Sequence, residues 1–85
     1  MPTFLIRAVS PSDRNSSERN AVIVTAPSEG EARDLAAANA PDGETKVRPG
    51  WVATRIADSE ESTVLWVQGN VVLPGDDGRT VYRGT

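Results

Sequence analysis

Residues 21–40 read AVIVTAPSEGEARDLAAANA, and this stretch decides the fold. Val22, Ile23 and Val24 are consecutive and β-branched, the pattern of a buried strand. Pro27 ends that run, and Ser28 stands where a helix N-cap belongs. Glu31, three residues on, completes a Ser-x-x-Glu capping box in which each side chain satisfies the other residue's backbone N–H. Ala32, Leu35, Ala36 and Asn39 then recur at helical spacing, and Pro41 with Asp42-Gly43 closes the pattern. The expectation is a strand turning sharply into a helix from Glu29 to Asn39, with Ala32, Leu35 and Ala36 as its inward stripe.

Upstream, Thr3 to Val9 alternates as a strand, with Phe4, Ile6 and Ala8 on one face and Leu5, Arg7 and Val9 on the other. Residues 10–20, SPSDRNSSERN, form a polar loop that is long for a hairpin connection. Downstream, Trp51 to Ala57 reads as a third strand and Asp58 to Ser62 as an acidic turn. Thr63 to Gln68 is a strongly apolar fourth strand, and Gly69-Asn70 suits a type II′ turn into Val71-Val72-Leu73. Pro74 to Gly78 makes another turn before a short edge strand at Thr80 to Arg83. The expected fold class is α+β, a single small domain over residues 1–85. One helix packs on a twisted, mostly antiparallel sheet of about five strands in β-β-α-β-β-β order, the last strands forming a meander and the sheet curling toward a half-barrel.

Composition narrows the class of function. At 38% hydrophobic and 25% charged the chain sits near the globular average, which argues against disorder. The net charge of −3 disfavours generic binding to nucleic acid or anionic membranes, since both want a basic face. No apolar run approaches the ~18–20 residues that span a bilayer, and the opening MPTFLIRAVS lacks the features of a secretory leader. Without cysteine there is no disulfide framework or thiolate site. Asn15-Ser16-Ser17 matches a glycosylation acceptor, which has little meaning without export. A cytoplasmic location is the expectation.

The residues that carry most enzyme chemistry are missing from the sequence. There is no histidine to serve as general base or metal ligand, and no cysteine nucleophile. The one lysine, Lys46, lies in a turn-rich segment with no apolar setting to lower its pKa. Asp76-Asp77-Gly78 lacks the alternate-position ligands and closing glutamate of a calcium loop and reads as a turn; Glu60-Glu61 reads the same way. The glycines fit neither the dinucleotide nor the phosphate-loop pattern. The expectation is a non-enzymatic protein with no catalytic residue, no metal site and no cofactor.

The remaining candidates are surfaces. A helix of this length is ~16 Å long, and its stripe is narrower than a sheet of five strands at ~4.8 Å spacing. Yet Leu5 opposes Phe4 and Ile6, Ile23 opposes Val22 and Val24, and Val64 and Trp66 oppose Leu65 and Val67. A solvated face would alternate to polar, so something else covers the second face: the sheet's own curl, a second copy or a partner. With Leu65 and Val67 assigned to the helix, Trp66, Val64, Leu5 and Arg7 form the expected partner-binding face. Glu29, Glu31 and Asp34 form an acidic helix surface suited to a basic partner, and Lys46, Arg48, Trp51 and Arg55 form a basic interval with one stacking ring. The expected function is a protein-binding or regulatory module using the apolar sheet face and the acidic helix, with a protein partner or self-association as a homodimer. The alternatives are a small inhibitor, of the kind mobile elements use against host nucleic-acid-processing complexes, or a weak direct nucleic-acid binder through the basic interval.

Overall fold

The structure is a computed structural model that describes residues 1–42 and 45–69. It is an α+β domain of four strands and one helix: β1 (Pro2–Arg7), β2 (Ala21–Thr25), α1 (Glu29–Ala38), β3 (Val52–Asp58) and β4 (Val64–Val67), with a 3-10 turn at Pro11–Asp13. The strands expected at Val71–Leu73 and Thr80–Arg83, and the turn holding Asp76 and Asp77, lie outside the described residues.

The turn from β2 into α1 forms where the sequence places it. Ser28 is extended, at φ −143°, and its Oγ accepts the Glu31 backbone N–H at 3.2 Å. That bond satisfies one of the helix's four unpaired N-terminal donors. At the other end Asn39 leaves helical geometry and its Nδ2 donates to the Leu35 carbonyl at 2.8 Å, so the helix stops one residue before the expected boundary.

The pairings among these four strands are antiparallel, and their order is β3-β1-β2-β4. The first step of the expected meander is therefore corrected: β3 and β4 do not pair, and they stand at opposite edges of the four described strands. The strands flanking the polar loop, both apolar on two faces, take the centre. The acidic segment after β3 is correspondingly no hairpin turn but a crossing beneath the ends of β1 and β2. Ser59 exchanges backbone hydrogen bonds with Met1 at 2.8 and 2.9 Å, and Thr63 accepts the Thr25 N–H at 2.9 Å. The β1–β3 register slips between Thr3 and Phe4, so Arg55 faces Phe4 while Ala57 faces Thr3, and Ile56 is the inserted residue.

The core lies between α1 and one sheet face. Ile6, Val22, Val24, Ala32, Ala36 and Trp51 are buried there, with Phe4, Val64 and Trp66 packed against them. Two expectations are overturned at this point. Val64 pairs with Val24 and Trp66 with Val22, so both follow their partners to the helix side, and Leu65 turns outward at 54% exposure. Leu35 is not part of the inward stripe; it is 40% exposed, whereas Ala32 and Ala36 are fully buried.

The second correction explains the first. With ~100° between successive helix positions, Ala32 and Ala36 define a contact line, and Leu35 lies about 80° to one side of it. Because alanine is short, the helix leaves space above the sheet that large side chains must fill. Trp66 and Trp51 fill it, with ring centroids 5.9 Å apart and planes at 65°, the edge-to-face arrangement that aromatic quadrupoles favour. The Trp66 Nε1–H donates to the Ala36 carbonyl at 3.2 Å, tying the indole to the helix.

Candidate partner-binding surface

The outer side of α1 presents Glu29, Glu31, Asp34 and Leu35, all exposed. Glu31, Asp34, Leu35 and Ala38 stand at positions i, i+3, i+4 and i+7, which superpose on one face of an α-helix. They line an open groove of about 410 Å³. Two of its lining residues, Leu35 and Ala38, are apolar, and the other two are carboxylates.

Arg33, the helix's only cation, does not neutralise those carboxylates. Its Nε donates to Glu29 Oε2 at 3.1 Å and its Nη2 to the Trp51 carbonyl at 2.7 Å, which draws the guanidinium toward the sheet. Glu31 and Asp34 have no ion pair among the described residues. The acidic surface expected from Glu29, Glu31 and Asp34 is therefore assembled on one element, with Glu29 partly compensated and the other two carrying its charge.

The other expected surfaces are not single sites. Trp66 and Val64 lie on the helix side, while Leu5 and Arg7 occupy the opposite sheet face, where they are 5% and 3% exposed. On that face Leu5 stands level with Ile23 and Leu65 across three strands, and Arg7 level with Ala21 and Val67. These four residues thus do not share a binding face.

The basic interval is also divided. Trp51 is 1% exposed; its Nε1–H donates to the Asp13 carbonyl at 2.8 Å, its N–H to the Arg48 carbonyl at 3.0 Å, and its own carbonyl accepts from Arg33. Gly50 beside it allows close approach, since a Cβ there would lie 2.5 Å from Asp13 Oδ2. An enclosed indole offers no ring for a base to stack on. Arg55 lies on β3 and donates to both carboxylate oxygens of Asp58 at 2.7 Å, Arg48 is half-buried, and Lys46 is exposed.

Sequence reasoning missed a second structured region, the 10–20 loop. The Asn15 Nδ2 donates to the carbonyls of Arg19 and Lys46, both at 2.9 Å, and Oδ1 accepts the Lys46 N–H at 3.2 Å. The Asn15 N–H in turn donates to Asn20 Oδ1 at 2.7 Å, and the Ser17 and Thr45 hydroxyls meet at 2.6 Å. Asn15, Asn20 and Thr45 are buried by these contacts, so the loop is pinned to the segment leading into β3. The two asparagines were the available signal, since side-chain amides can replace backbone partners in a loop without regular pairing.

Among the described residues no three His, Cys, Asp or Glu side chains converge as metal ligands, and no helix is long and apolar enough to cross a membrane. Comparison with protein-family models, with curated proteins and with solved structures finds no match.

Proposed function

We propose that this chain is a non-enzymatic protein-binding module that docks a partner on the outer face of α1. The observation that carries the reading is Leu35, a large apolar side chain left 40% exposed beside Glu31 and Asp34, two carboxylates that have no ion pair among the described residues. An apolar patch bordered by polar groups is the general build of a protein contact and its rim. The charge chooses the partner. A second copy packed face to face would set Glu31 and Asp34 against their own equivalents, and like charges across an interface are repulsive. A partner segment with an apolar side chain flanked by Lys or Arg meets both features. Regulation through such a contact, including inhibition of a complex that presents a basic surface, is one use of this chemistry.

The test is site-specific cross-linking in the source cell. A photoreactive residue in place of Leu35 should give discrete protein adducts that Glu31→Lys with Asp34→Lys removes. The same group at Thr54, on the opposite sheet face, should not give them. Adducts absent at position 35, or the same at both positions, would contradict the reading.

A further inference from the structure

Asn15 opens an Asn-Ser-Ser acceptor, and it is also the residue that joins the 10–20 loop to residues 45–48. N-glycosylation from a lipid-linked oligosaccharide pyrophosphate forms a bond between Nδ2 and the sugar C1. In that step Nδ2 gives up one proton and the lipid pyrophosphate leaves. In this fold both Nδ2 protons are engaged, one with the Arg19 carbonyl and one with the Lys46 carbonyl, each at 2.9 Å. The residue is 5% exposed, and its Oδ1 and backbone N–H are engaged as well.

A sugar on Nδ2 must displace one of those carbonyls and occupy space that Arg19 and Lys46 fill. The displaced carbonyl loses its partner in a part-buried setting, which costs at least what the hydrogen bond contributes. The consequence spreads, because the same amide also accepts the Lys46 N–H, and the Ser17–Thr45 hydroxyl contact joins the loop to the same segment.

We infer that N-glycosylation of Asn15 is incompatible with this fold, because the amide it would modify is spent on holding the 10–20 loop to Lys46. The acceptor is a structural amide whose sequence context coincides with the motif. The inference stands apart from the role of α1, since Asn15 is not part of the groove.

Chemical assembly of the whole chain with a single N-acetylglucosamine on Nδ2 of residue 15 tests this directly. A control carries the same sugar on Asn39, which is exposed and spends one Nδ2 proton on the Leu35 carbonyl. Against the unmodified chain, the Asn15 conjugate should lose the native amide spectrum or show an unfolding constant raised by about a hundredfold or more. The Asn39 conjugate should stay within about tenfold of the unmodified chain. An Asn15 conjugate that keeps the native spectrum and the stability of the Asn39 conjugate would overturn the inference.

Discussion

The inner side of α1 carries Ala32 and Ala36, both fully buried, whereas Leu35 stands on the flank beside Glu31 and Asp34, 40% exposed. Burial normally sorts large apolar side chains inward, and here the helix itself does the reverse. The apolar bulk that the helix lacks comes from the sheet and from the entry to β3, as Trp66 and Trp51. The alanine line permits close approach, and the tryptophans use the space. Leu35 is therefore not needed to close the core.

The strongest way to break this comparison is to remove the filler. Trp66→Ala should cost roughly 3 kcal/mol or more, through lost burial and the cavity beneath α1. Urea unfolding followed by circular dichroism measures it. A loss under 1 kcal/mol would mean that the helix does not rest on the indole. Filling the alanine line tests the same packing from the other side. Ala36→Leu should destabilise by about 1–3 kcal/mol through overpacking against Trp66, while a gain in the urea midpoint would show unfilled space under the helix. A smaller change is expected at the cap, where Ser28→Ala should remove about 0.5–2 kcal/mol. An unchanged midpoint there would separate the start of the helix from its docking.

The sequence foretold local structure better than it foretold assembly. Ser28 and Pro41 mark the helix because capping and termination act over a few residues, although only the Ser28 half of the expected capping box forms. The Phe4–Ile6–Ala8 alternation likewise assigns β1 to a strand and to the core face. Strand order did not follow, because which strands pair is decided by contacts across the chain that periodicity does not encode. Nothing in WVATRIA or the residues after it says that β3 and β4 stand at opposite edges of the described sheet.

The site followed the same division. The carboxylates of α1 were readable as an outward acidic surface, since solvation and the helix dipole both favour them there. Leu35 was not, because helical spacing groups it with Ala32 and Ala36 and only the packing partner decides which edge of the stripe turns inward. Trp51 reads as a stacking ring in the sequence because its acceptor, the Asp13 carbonyl, lies 38 residues away. The loop network of Asn15 and Asn20 was hidden for the same reason, with Lys46 31 residues distant from Asn15.

One substitution tests the central contrast most directly. Leu35→Glu places a charge on the outer side of α1 without touching Ala32, Ala36 or either tryptophan. Its urea midpoint and its recovery of cellular partners are measured on the same preparation. The account predicts that unfolding free energy changes by less than about 0.5 kcal/mol, as for a surface site, while the partner complex is lost. A loss of 2 kcal/mol or more, or a complex that survives unchanged, would contradict it.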